Sequence, residues 1–157
     1  MEVLTPDIVV IDDDPAMFAV ISELCSRRLK TGWISRVDDI EEGILYGLQG
    51  GDQEEIAVDT RCPTRLILVD SYLGRYSLTG LATVEAIRKT AKEVLIVSIS
   101  TYLDLRMLGH GRADFAFCKV LFPTVLEDRL YLEQCKSRYD DSRLLELVEL
   151  FNRIVLP

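Results

Sequence analysis

Apolar residues in this chain gather into short unbroken runs, each ending at a polar group. Ile8-Val9-Val10-Ile11 stops at Asp12-Asp13-Asp14, Leu66-Ile67-Leu68-Val69 at Asp70, Val94-Leu95-Ile96-Val97 at Ser98, and Phe115-Ala116-Phe117-Cys118 at Lys119. Runs of this length and composition predict strands buried on both faces, as in a parallel sheet. The segments between them have helical spacing. Ala16 to Leu29, entered through Pro15, places Phe18, Ile21, Leu24 and Cys25 on one side and Glu23, Arg27 and Arg28 on others, which predicts an amphipathic helix. Leu81 to Lys92, with Val84, Ile87 and Ala91, predicts another, and Tyr102 to Leu108 a further one before Gly109-His110-Gly111. Trp33 to Val37 reads as a more exposed strand, Ile40 to Leu48 as a helix stopped by Gly50-Gly51, and Asp52 to Thr64 as a long loop interrupted only by Ile56-Ala57-Val58.

Strands alternating with helices argue for an α/β fold with a mainly parallel sheet. From Pro123 to Pro157 the chain is helical in character and splits near Tyr139-Asp140-Asp141-Ser142. Leu144, Leu147, Val148, Phe151 and Val155 then form an apolar stripe opposite Glu146, Glu149 and Arg153. Such a stripe needs cover from the domain or a partner. We therefore expect one domain over residues 1–138 and a helical extension over 139–157, packed on the domain or on a partner.

A chain of 157 residues, about half apolar, suffices for one domain with a proper core. With 18 basic against 26 acidic residues the net charge is -8, which opposes binding to nucleic acid or an anionic membrane. The N-terminal apolar run is too short for a signal peptide or a membrane span, so a cytoplasmic protein is expected. Cys25, Cys62, Cys118 and Cys135 are widely spaced without a C-x-x-C, and are expected to be free thiols. His110, between two glycines, has no nucleophilic constellation nearby.

The chemistry lies at the strand ends. In a doubly wound sheet, ligands bind outside the carboxyl ends of the strands, where Asp12, Asp13, Asp70, Ser98 and Lys119 would meet. Crowded carboxylates need a positive group to offset their repulsion, and three of them suit Mg²⁺, a hard cation with oxygen ligands. A hydroxyl and an ammonium beside it suit the oxygens of a phosphoryl group. Asp14, just before Pro15, is a natural helix cap.

This ordered set resembles the receiver domain of bacterial two-component response regulators. The resemblance covers roughly Asp7 to Leu130 and rests on Val-Ile-Asp-Asp-Asp-Pro at the first strand, Leu-Ile-Leu-Val-Asp at the third, Val-Leu-Ile-Val-Ser at the fourth and Ala-Asp-Phe-Ala-Phe-Cys-Lys at the fifth. It implies a flavodoxin-like (βα)5 doubly wound parallel sheet of strand order 2-1-3-4-5, here with an extra C-terminal helix. It also implies that Asp70 accepts a phosphoryl group from a phosphohistidine. Asp13 would bind Mg²⁺ directly, Asp12 would help through water, and the backbone carbonyl of Tyr72 would complete the metal shell. Ser98 would swing toward the phosphoryl oxygens and Lys119 would pair with them. The implied partners are a histidine kinase or histidine phosphotransfer protein and a downstream effector protein, with the C-terminal helix a candidate for homodimerisation or effector docking. A stand-alone receiver of this kind is a signalling domain, not an enzyme beyond its own phosphorylation and dephosphorylation.

The chain departs from the family pattern in several places. Gly74 replaces the usual Pro four residues after the acceptor, Gly80 arrives about two residues late, and Ile99 replaces a small residue after the hydroxyl. Ser100, followed by Thr101, is the alternative register for that hydroxyl. Ala116 stands at the aromatic switch position, with Phe115 and Phe117 on the other face, and Val120 replaces the Pro after the lysine. These departures favour a second reading, a divergent receiver acting as a phosphorylation-independent interaction module. A third is a haloacid-dehalogenase-like phosphatase with Asp12 as nucleophile and Asp14 as general acid; it leaves Asp70 unexplained.

Overall fold

The computed structural model describes residues 2–25, 29–51, 54–61, 63–119 and 145–150. Its centre is a five-stranded parallel sheet of β2 (Ile8–Ile11), β3 (Thr31–Ile34), β7 (Leu66–Asp70), β8 (Leu95–Ser100) and β9 (Phe115–Cys118), in the order β3-β2-β7-β8-β9. Counted along this sheet alone, that is 2-1-3-4-5, as expected. Every residue of β2, β7 and β8 is buried, which is why these segments lack the polar alternation of a half-exposed strand. One face carries Ile8, Val10, Leu66, Leu68, Val97 and Ile99 against Met17 and Ile21 of α1 (Pro15–Cys25) and against Leu147 and Leu150 of the C-terminal helix at 145–150. The other carries Val9, Ile11, Ile67, Val69 and Ile96 against Val84 and Ile87 of α2 (Gly80–Arg88).

The largest correction falls between residues 36 and 59. In place of a helix over Ile40–Leu48 and a loop beyond it, β4 (Arg36–Glu41), β5 (Ile44–Gln49) and β6 (Glu54–Asp59) form an antiparallel meander. With β1 (Val3–Leu4), which runs parallel to β6, they make a second sheet of order β1-β6-β5-β4. The turn between β4 and β5 is Glu42-Gly43, with φ of 51° and 81°, the two-residue hairpin loop whose twist matches the flanking strands. Gly47 lies where the register of β4 shifts, so close to the Arg36 carbonyl that no side chain would fit. Ile40, Ile44 and Leu48 imitate helical spacing, but two glycines in nine residues disfavour a helix. Val37, Leu45, Ile56 and Val58 join the α2-side core, so this small sheet covers the face that a helix was expected to cover.

Two smaller differences have local causes. Tyr102–Leu108 forms only a 3-10 turn at Leu105–Met107, because Asp104 takes the N–H of Arg106 and the chain then turns through Gly109 and Gly111 at positive φ; so short a segment does not sustain an α-helix unaided. Helix α2 starts at Gly80, one residue early, capped by Thr79 through a bond from the Ala82 N–H, and stops at Arg88. The Arg88 guanidinium then bonds the carbonyls of Val94 and Arg112 and pairs with Asp114 at 2.6 Å, tying α2 to the connections around β8 and β9.

The segment 123–138, most of the stripe beyond Leu150, and Cys62, Cys135 and Val120 lie outside the described residues, as does the side chain of Cys25. Within 145–150, Leu147 and Leu150 are buried in the α1-side core, whereas Leu145 is exposed. Cys118 is a free thiol. Among the described residues no helix is long and apolar enough to cross a membrane.

Candidate functional site

Because the five strands are parallel, their carboxyl ends lie along one edge, and the chemistry gathers there. Asp12 and Asp13 follow β2, Asp70 ends β7 and Lys119 follows β9. The Lys119 ammonium lies 2.7 Å from Asp70 Oδ2, 3.0 Å from Asp12 Oδ1 and 2.8 Å from Asp12 Oδ2. The last contact is an ion pair whose angle falls outside hydrogen-bond geometry, so that oxygen has a charge beside it but no donated hydrogen. Asp12 Oδ1 also accepts the Asp14 N–H at 3.0 Å, and Asp70 Oδ1 the Tyr72 N–H at 3.1 Å. One carboxylate oxygen from each of Asp12, Asp13 and Asp70 lies within 4.8 Å of the others.

The three acids differ in exposure. Asp12 is fully buried, Asp70 is 7% exposed and Asp13 is open to solvent. Burial raises the Asp12 carboxyl to about 6, further than the hydrogen bond from Lys119 can lower it. Burial also works against the Lys119 ammonium, but its bonds to Asp12 and Asp70 outweigh that and hold its pKa above the usual lysine value. An oxygen-only donor set of this charge fits a hard divalent cation. Asp14, by contrast, accepts the Ala16 N–H at 2.9 Å and caps α1.

A cleft of about 530 Å³ opens over the site, lined among others by Asp13, Asp70, Tyr72, Ser100, Tyr102 and Lys119. Ser98 does not line it. Ser98 is buried between Val69 and Ala116 on the neighbouring strands, and its Oγ has no hydrogen-bond partner among the described residues. The strand continues three residues further than its apolar run, so Ser100, the alternative register, reaches the edge. Ile99 is fully buried in the α1-side core and lies outside the cleft lining. Phe115 and Phe117 stack on that same core face, 6.2 Å between ring centroids, while Ala116 is buried on the other.

Three further features escaped the sequence reading. Trp33 Nε1 donates to the Asp12 carbonyl at 2.7 Å while its ring stacks on Phe18 at 5.2 Å, so the lone tryptophan braces the acidic turn. Gly80 packs on the chain after Asp70 so tightly that a Cβ there would lie 2.6 Å from Ser71 Cα. Ser71 Oγ and Ser100 Oγ are 2.6 Å apart. The glycine was visible as a motif element; the other contacts join residues far apart in sequence and left no local signal. Gly74, at φ 90°, turns the loop after Asp70 in a conformation that the proline usual in the family cannot adopt.

In structure the chain is similar to the BeF3-activated receiver domain of DrrB from Thermotoga maritima, with a TM-score of 0.54, 19% sequence identity, and coverage of 82% of this chain and 96% of that one. It is also similar to a response regulator protein from Burkholderia pseudomallei solved with a phosphorylated aspartic acid, calcium ion and citrate. There the TM-score is 0.50, the identity 14%, and the coverage 90% of this chain and 91% of that one. No family model and no curated protein matches the chain. At these identities the likeness is one of fold: the chain has the receiver fold of response regulators.

Proposed function

We propose that the chain is a phosphoryl-accepting signalling receiver that works with Mg²⁺ in the cytoplasm, over a domain of residues 1–138 with 139–157 as an added helical segment. The observation that carries this reading is Lys119 Nζ bridging Asp70 and Asp12 at a strand edge where Asp13 adds an exposed third carboxylate. An Asp70 oxygen attacks the phosphorus of a phosphohistidine on a histidine kinase or histidine phosphotransfer protein. The P–O bond forms as the P–N bond breaks, and the imidazole leaves with that electron pair. Asp12, Asp13, Asp70 and the Tyr72 backbone carbonyl would hold Mg²⁺, which supplies positive charge for the phosphoryl oxygens. Lys119 donates to one of those oxygens, and Ser100, which lines the cleft, takes the hydroxyl role expected of Ser98. Output passes to an effector protein by contact. Burial of Asp12 under Lys119 argues against Asp12 as an attacking group, and Asp14 is engaged as a cap.

The test is intact-mass analysis after acetyl phosphate with Mg²⁺, together with Trp33 fluorescence on adding beryllofluoride. One phosphoryl group should appear on the wild type and none on Asp70→Asn, whose circular dichroism should remain native. Absence of any response at millimolar Mg²⁺ would leave the interaction-module reading. Hydrolysis of an aryl phosphate that vanished in Asp12→Asn but survived in Asp70→Asn would favour the phosphatase.

A further inference from the structure

The small sheet has an outer face that the chemistry at Asp70 does not use. Strand pairing sets its rows: Ile44 lies between Glu41 and Asp59, Tyr46 between Asp39 and Ala57, and Leu48 between Arg36 and Glu55. These side chains point away from the core, because the alternate positions, Val37, Leu45 and Ile56, are the ones buried in it. An antiparallel sheet with one solvated face normally alternates apolar with polar residues. Strand β5 instead carries apolar side chains on both faces. Ile44, Tyr46 and Leu48 are half-buried, yet among the described residues they belong to neither apolar core.

The same surface is strongly acidic. Residues 36–61 contain eight carboxylates and two arginines, so six of the eight net negative charges of the chain fall in this short stretch. Arg36 is paired with Asp38 at 2.7 Å and Arg61 with Asp59 at 3.0 Å, so both arginines are already matched. Asp39, Glu41 and Glu55 are exposed and have no cation within ion-pair distance among the described residues. The outer face is thus an apolar row on the central strand, bordered on both sides by unmatched negative charge.

Charge and geometry decide what such a face can take. Nucleic acid and an anionic membrane are repelled. A two-fold contact with a second copy would set the acidic face against itself, since both subunits use the same patch. A metal ion needs closer ligands: among the described residues only Asp12, Asp13 and Asp70 bring three within 4.8 Å. Strand addition is blocked at Val37 on the β4 edge, whose carbonyl accepts the Leu78 N–H at 2.8 Å and whose N–H donates to Ser77 Oγ at 2.9 Å. We infer that this face docks a basic protein segment, whose apolar side chains cover Ile44, Tyr46 and Leu48 while its lysines or arginines meet Asp39, Glu41 and Glu55. An apolar centre inside a charged rim is the layout of protein interfaces, and tyrosine is among the residues that anchor them. The inference stands whether or not Asp70 accepts a phosphoryl group.

The test is titration of the full, isotope-labelled chain with two synthetic peptides of equal positive charge, one alternating lysine with leucine and the other lysine with serine. Affinity is read by fluorescence anisotropy and the site by amide NMR shifts. The lysine–leucine peptide should bind about ten-fold more tightly than its serine counterpart, and should move the amides of β4, β5 and β6. Tyr46→Ser should remove about that same factor. Joint Glu41→Gln and Glu55→Gln should weaken binding about five-fold at low salt, with the difference fading as salt screens it. Circular dichroism checks that each variant folds; if Tyr46→Ser does not, the charge variant and the two-peptide comparison decide. Equal affinity for the two peptides, shifts confined to the strand-end acids, or unchanged binding in the folded variants would overturn the inference.

Discussion

Asp12→Asn should make the metal-free protein more stable at neutral pH, although it removes a partner of Lys119. Asp12 is fully buried, and its carboxyl is raised from 3.8 to about 6 because desolvation exceeds what the Lys119 bond returns. A group whose folded-state pKa lies above its unfolded value adds stability that is complete below the unfolded value and lost as pH rises through the folded one. Here the loss spans 3.8 to about 6, and at 1.36 kcal/mol for each pH unit it amounts to roughly 3 kcal/mol. Lys119 follows the same rule, but its raised pKa confines the loss to pH above 10.5. Asp59 and Asp104 are held low mainly by Arg61 and Arg106, so their contribution is lost only as pH falls through values below 3.8. Neither effect has a slope in the Asp12 window. Urea unfolding in EDTA between about pH 4 and about pH 7, followed by Trp33 emission, should therefore show the wild type losing roughly 3 kcal/mol relative to Asp12→Asn. Adding Mg²⁺ at neutral pH should lift the wild type by mass action and leave the asparagine variant nearly unchanged. A stability difference that stays flat with pH would refute the claim that burial dominates at Asp12.

Other substitutions probe the frame around the site. Gly80→Ala would drive a Cβ to 2.6 Å from Ser71 Cα; it should cost about 2 kcal/mol or more in urea unfolding and reduce phosphoryl uptake, because the chain after Asp70 must move. Leu45→Ala, at a fully buried position of β5, should cost about 3 kcal/mol; a loss below about 1 kcal/mol would mean that the small sheet does not share the main core. Arg88→Met removes the partner of Asp114 at 2.6 Å, with side chains only 9% and 16% exposed, and should lower stability by about 3 kcal/mol. An unchanged urea midpoint would show that the remaining bonds to Asp114 are sufficient.

Much of the fold was legible because its central strands are buried on both faces. Ile8–Ile11 and Leu66–Asp70 need no knowledge of their neighbours to be read as interior strands, since an apolar run that short fits little else between polar segments. Residues 40–48 were not legible in the same way. Their apolar positions satisfy both periods, and the Glu42-Gly43 turn decides between them only when a third strand, Glu54–Asp59, lies alongside to pair with the hairpin. The 3-10 turn at Leu105–Met107 likewise depends on one side-chain bond from Asp104, which competes with the helix locally.

The sequence by itself determined which groups end the parallel strands, and hence that Asp12, Asp13, Asp70 and Lys119 share one edge: strand direction alone brings carboxyl ends together. Tertiary structure decided which hydroxyl joins them. Ser98 and Ser100 are both plausible in the sequence, but the register of β8 against β7 and β9 leaves the first inside the sheet and puts the second in the cleft beside Ser71. Register and burial are properties of neighbouring strands, not of the segment that carries the serines, so no local pattern could have distinguished them.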